Sequence, residues 1–295
     1  MNKIIKHQND QTILDKLSAQ RNLYNSAKRL RKLHFVIGVV FVVGLSVAHF
    51  FFGDCKEVES ALVISSVLAL IAEPLLECFI DKKRTLAAQI QQRLDNTLYG
   101  LNWDACVCGK EPTDEIICDY KDDVPADDLK DWYDVEIGEV EDENVAILLC
   151  QRENILYDSD LRNCYVTLIA RIAAFLGVCI LVLSFVKEWD LMRFLVFGVI
   201  PVIPIAKWFI TIFKDNTADK EHLGSLENLV MEETAKALDG DRIARKTIQE
   251  IQNLLFLHRK SGNLIPGWFY RICQSKSEKR SAYSVKEFLA KYNSG

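Results

Sequence analysis

Four long apolar runs constrain this chain more than any other feature. Residues 35–52, 60–80, 164–186 and 191–213 are nearly unbroken apolar sequence. A helix needs roughly 17–25 mostly apolar residues to cross a bilayer, and each run is long enough. Hydrocarbon offers no partner to a free N–H or C=O, so a single apolar run can cross it only as a helix. The runs are paired by the short connections 53–59 and 187–190. The expected fold is therefore an all-α membrane protein. Four transmembrane helices form two hairpins and are extended by helices in the cytoplasm. A hydrophobic share of 49% would also suit a soluble bundle, but four paired runs of this length are hard to explain as ordinary core.

Basic residues orient the hairpins. Lys28, Arg29, Arg31 and Lys32 precede the first run, and Lys82, Lys83 and Arg84 follow the second. The connections hold Lys56 and Lys187, with Arg193 just inside the fourth run. Lysine and arginine near span ends stay on the cytoplasmic side, which places both termini and the central region there. The first run follows a polar segment and has no small-residue cleavage site after it, so it reads as a retained signal anchor. The chain divides into an N-terminal helix (1–33), a first hairpin (34–80), a central cytoplasmic region (81–163), a second hairpin (164–213) and a C-terminal region (214–295).

The cytoplasmic parts carry helical periodicity. Residues 2–33 read as one helix running into the first span. After the second span, Leu86, Ile90, Leu94 and Leu98 recur at four-residue steps, as on one helix face. Between 111 and 143 stand fifteen acidic residues and two lysines, a composition expected to be solvated or loosely ordered, with Trp132 and Tyr133 as apolar anchors. Residues 146–165 read as a helix entering the third span. In the tail, Gly240 separates two helices, the second over 242–260 with Asp241 at its N-cap.

Charges inside spans are expensive and face a bundle interior, a partner or water. Glu73 and Arg171 each lie seven residues from the cytoplasmic end of their run, and Lys207 lies six. At 1.5 Å per residue all three sit about 9–10 Å deep, with Glu77 one turn shallower. Glu73 is expected to pair with Arg171 or Lys207. Such a pair could fix helix register, line a wetted pathway in an oligomer, or snorkel to the interface. Pro74, Pro201 and Pro204 are candidate kinks, because proline removes a backbone donor.

Chemistry-bearing motifs are missing. There is no P-loop, dinucleotide fingerprint, zinc-protease helix or nucleophile elbow, so no catalytic residues and no cofactor are expected, and the chain reads as a non-enzyme. The nine cysteines are scattered and mostly cytoplasmic, where thiols stay reduced. Cys106, Cys108 and Cys118 lack the paired framework or nearby histidine of a zinc site, so no metal is expected. The acidic stretch disfavours binding to a DNA or RNA polymer.

The order of short motifs is also informative. HQNDQTILDKLSAQRNLYNSAK (7–28) precedes the first hairpin, and IQQRLDNTLYGLNW (90–103), LKDWY (129–133) and CQRENILYDSDLR (150–162) lie between the hairpins. IQEIQNLLFLHR and IPGWFYR follow the second. This arrangement resembles the SMODS-associated four-transmembrane family of pore-forming effectors in bacterial anti-phage cyclic-oligonucleotide signalling. Where that family commonly has tryptophan before the DSDLR-like acid, this chain has Tyr157. The resemblance implies a multi-pass protein of the bacterial inner membrane that forms a homo-oligomer in the lipid bilayer. It would permeabilise the membrane when triggered by a cyclic oligonucleotide or a partner protein. A nucleotide ligand needs cationic and aromatic groups, and the candidates are Arg152, Arg162, Arg242, Arg245, Arg259, Trp268, Tyr270 and Arg271. The competing reading is a non-conducting membrane sensor or scaffold that recruits cytoplasmic partners.

Overall fold

Two helices of 44 residues each carry the architecture. At 1.5 Å per residue each is about 66 Å long, roughly twice the 30 Å hydrocarbon core, so neither can be a span alone. The computed structural model describes residues 2–41, 43–44, 56–123, 127–199 and 202–292, and among these the chain is helical with no strand. In chain order the helices are α1 (Lys3–His7), α2 (Gln11–Phe35), α3 (Lys56–Tyr99), α4 (Ala105–Cys108), α5 (Asp114–Tyr120), α6 (Glu143–Val186), α7 (Leu191–Arg193), α8 (Ile203–Leu238), α9 (Arg245–Ser261) and α10 (Gly267–Tyr292). α2 packs antiparallel along α3, and α6 along α8.

The apolar halves of α3 and α6 stay unburied. Leu70 is 71% exposed and Phe185 86%, a surface that water would not tolerate over such a length. These are the two helices among the described residues long and apolar enough to cross a membrane. The first and fourth expected spans are not continuous α-helix in the described residues. α2 ends at Phe35 and passes into a π-helical turn over Val36–Phe41, and α7 passes into another over Phe194–Val199 before α8 begins at Ile203. Residues 42 and 45–52 of the first run, 53–55 of the connection after it and 200–201 of the fourth run lie outside the described residues, and Pro201 with them. Pro204 sits in the first turn of α8 rather than in a helix interior. Its missing N–H would have no intrahelical partner there anyway, so it starts the helix and does not kink it. Pro74 lies inside α3, which continues through it.

Beyond the spans the helices close on a core. Ile13, Leu14 and Leu17 of α2, Leu94 and Leu98 of α3, and Ile147 and Leu148 of α6 meet Leu223 and Leu226 of α8, Ile248 and Ile251 of α9, and Phe288 of α10. Each such side chain contributes about 1.5–3 kcal/mol when fully buried. The expected single N-terminal helix is split at Gln8–Asp10. There the buried Gln8 carboxamide accepts from the Tyr133 backbone N–H at 2.9 Å, which draws the chain out of helical path.

Among the described residues of the acidic stretch most carboxylates are exposed, as a solvated stretch should have them. The segment is not loose, however, because it is tied to the helices. Asp128 is held by Arg21, Asp122 accepts from Asn22 Nδ2 at 2.9 Å, and Arg93 holds Glu111 at 2.9 Å and Asp114 at 2.7 Å. Exposed pairs of this kind contribute about 0–1 kcal/mol each. The larger share comes from Ile117, Leu129, Tyr133, Ile137 and Val140, all buried. In the tail, Gly240 (φ +83°) ends α8 as expected, but the next helix begins at Arg245 with Ala244, not Asp241, as its N-cap.

Candidate functional site

The charges of the spans gather on three helices. Glu73 and Glu77 are one turn apart on α3, hence on one face. His34 of α2 reaches both, with Nε2 4.0 Å from Glu73 Oε1 and Nδ1 3.1 Å from Glu77 Oε1. Arg31 Nη1 lies 2.6 Å from Glu77 Oε1. Lys207 Nζ of α8 lies 3.8 Å from Glu73 Oε1. Glu73 therefore ties the fourth run to the second, and Glu77 ties the second to the end of α2 just before the first. Lys207 and Glu73 remain 71% and 44% exposed, so this ion pair is open on one side.

Arg171 does not join the layer. It is exposed, and no ion pair involves it among the described residues. Two residues earlier, Ile169 is buried against α8 and α10, and a two-residue step turns about 200° around the helix. Equal depth was thus insufficient, because Arg171 faces outward. His34 was not anticipated. Its signal was its spacing from Arg31, one turn away at the end of the basic segment before the first run.

Beyond the spans, α9 fastens the long helices together through buried polar contacts. Asp95 on α3, 1% exposed, accepts from Arg259 Nη1 at 2.6 Å, Gln252 Nε2 at 2.9 Å and Tyr133 Oη at 3.1 Å. Gln252 also donates to Gln92 at 3.0 Å and accepts from Gln151 of α6 at 3.0 Å. Tyr99 donates to Tyr133 at 2.6 Å. Burial disfavours a charge on Arg259, but Asp95 beside it outweighs this and holds the guanidinium above its ordinary pKa. Burial pushes both tyrosines well up, so they stay neutral donors.

A second buried cluster joins α6, α8 and α9. Arg162 contacts Asp158 at 3.1 Å, Asn216 at 3.2 Å, and Asp219. Asp158 also meets His258 Nε2 at 2.6 Å, and Asp219 accepts from the Asn263 N–H at 2.7 Å. Burial alone would raise the Asp158 pKa. The Arg162 charge and the His258 hydrogen bond reverse that and hold it well below the usual carboxylate range.

The eight residues expected to meet a nucleotide do not converge. Arg162 and Arg259 are committed to these clusters, and Arg245 binds Asn144 Oδ1 at 3.0 Å, Gly100 O at 2.8 Å, and Tyr99 O. All three act as fasteners because their donors are spent inside the bundle. Arg242 is exposed between α8 and α9, and Trp268 and Arg271 are exposed at the start of α10. Tyr270 rests against Tyr157, ring centroids 5.5 Å apart. Arg152 lines a cleft of about 180 Å³ with Tyr157, Asp160, Glu227, Arg280 and Ser284, and its Nε has no protein partner. The cleft is smaller than the roughly 300–1,000 Å³ of pockets that enclose larger ligands. Among the described residues no group of three or more His, Cys, Asp or Glu side chains is placed to hold a metal. Burial pushes the Cys108 thiol up to about 12, which keeps it protonated.

Long helices with bare apolar halves, a charge cluster on those halves and a polar-fastened bundle at the far end define a helical membrane protein. The model of the SMODS-associating 4TM effector domain family matches residues 2–288, and the chain belongs to that family. It is similar to a probable CBASS effector molecule of Bacillus cereus (strain VD146), with 23% identity over 291 residues, 94% of this chain and 95% of that relative. No solved structure matches it.

Proposed function

We propose that this chain is a CBASS-type anti-phage effector of the bacterial inner membrane. In this reading it acts without catalysis, assembles into a homo-oligomer, and permeabilises the membrane when a cyclic oligonucleotide or a partner protein triggers it. The observation that carries the reading is the half-open Lys207–Glu73 pair on predominantly apolar runs. An ion pair left facing lipid is costly. A neighbouring copy or a column of water relieves that cost, and both belong to an assembled pore. Four runs per subunit are few for a lone channel, which also favours an oligomer.

The full chain would be reconstituted in liposomes loaded with dye and exposed to a panel of cyclic di- and trinucleotides. Release on addition of one ligand is expected. Retention of dye and small ions by folded, inserted protein under every ligand and partner tried would overturn the pore and leave a non-conducting sensor or scaffold.

A further inference from the structure

The first two turns of α10 carry two apolar stripes, one buried and one largely exposed, where Trp268 touches the edge of its neighbour Phe269 at 5.8 Å between centroids. Phe269 is 4% exposed, lies tilted against Tyr165 at 5.1 Å between centroids, and shares a cluster with Ile169, Trp208, Phe209 and Ile212. Those partners fix its depth. Tyr165 lies one residue past the cytoplasmic end of the third run at 164, and Ile169 and Trp208 lie five residues inside their runs, about 7.5 Å at 1.5 Å per residue. The start of α10 therefore sits at the membrane boundary, although it is far from any span in sequence.

Trp268 and Ile272 are also one turn apart, so they share a face, and that face points outward. They are 56% and 69% exposed. Arg271 is exposed beside them. Phe269, which lies between them in sequence, belongs to the cluster formed with α6 and α8. Through Phe269 the exposed face is held at the depth of the cytoplasmic ends of the third and fourth runs. Tryptophan is favoured at the headgroup level, where its ring is half apolar and its N–H is wet. An adjacent arginine can place its stem in the apolar boundary and its guanidinium on lipid phosphate.

We infer that the N-terminal turns of α10 dock on the bilayer, with Trp268 and Ile272 entering the headgroup–acyl boundary and Arg271 meeting anionic lipid phosphate. The inference rests on the reading above that the spans lie in a bilayer. It would couple the tail to the membrane surface, since the same helix ends in the core through Val285, Phe288 and Leu289.

The test uses the full chain in vesicles of phosphatidylglycerol mixed with acyl-brominated phosphatidylcholine. Tryptophan emission is compared for the native chain, Trp268→Phe and Trp208→Phe. The emission lost in Trp268→Phe is expected to be the part that brominated lipid quenches and aqueous iodide does not. Trp208 reports insertion of the spans. Lipid quenching of Trp208 together with iodide quenching of Trp268 overturns the docking alone. Shielding of Trp268 from both quenchers assigns this face to a protein partner and overturns it too. Absence of lipid quenching at both positions overturns the span reading along with it.

Discussion

Asp95 is the most consequential single residue, because it is a buried carboxylate holding α9 and the Tyr133 loop to α3. Removing one partner of a buried ion pair leaves an uncompensated charge, which costs about 3–5 kcal/mol. Arg259→Ala should therefore lower the melting temperature in detergent markedly. Arg259→Met combined with Asp95→Asn should recover part of the loss, because no charge is then stranded. Asp158 gives a pH signature. Its pKa is depressed in the folded chain, so its contribution is fully present above the unfolded value of about 3.9 and is lost as pH falls below it. Asp158→Asn should flatten the acid limb of a plot of melting temperature against pH below about pH 4. An unchanged slope there would show that other carboxylates dominate acid unfolding.

At the scale of the element, helix ends decide how α9 is delivered to its partners. Gly262 closes α9, and a Cβ there would lie 2.7 Å from the His258 carbonyl oxygen and 2.9 Å from Arg162 Nη2. Gly262→Ala must shift backbone as well as the Arg162 fork, so it should loosen the Asp158–Asp219 cluster and lower thermal stability. Gly240 differs in kind. Nothing crowds it, but its φ of +83° is strained for any residue with a Cβ, at about 1–2 kcal/mol. Gly240→Ala should be milder, and a melting series in one detergent ranks the two. The 44-residue lengths of α3 and α6 make any shift at α9 a shift at the base of two spans.

For the whole molecule, the charge cluster of Arg31, His34, Glu73, Glu77 and Lys207 joins α2, α3 and α8. Glu73→Gln keeps the shape and removes the charge that faces Lys207. Assembly or triggered dye release should change in that variant. If neither moves, the pair has no part in joining α3 to α8. Arg171→Gln should leave the cluster intact, since Arg171 makes no ion pair among the described residues.

The sequence by itself determined the class of fold. Run length and composition dictate a helical membrane protein, because hydrocarbon admits little else, and the periodicity of Leu86, Ile90, Leu94 and Leu98 dictates the helix that continues beyond the second run. It also placed Glu73 and Lys207 at one depth, since depth follows from counting residues along a helix. Rotation about that helix does not follow from counting alone. Hence Arg171 turned outward and His34 entered the cluster unannounced. The fate of the arginines belonged to the tertiary structure as well. Arg162, Arg245 and Arg259 look like ligand groups in a polar sequence, but their partners Asp219, Asn144 and Asp95 come from other helices. Long-range packing alone decides whether a cation meets a ligand or a buried acid.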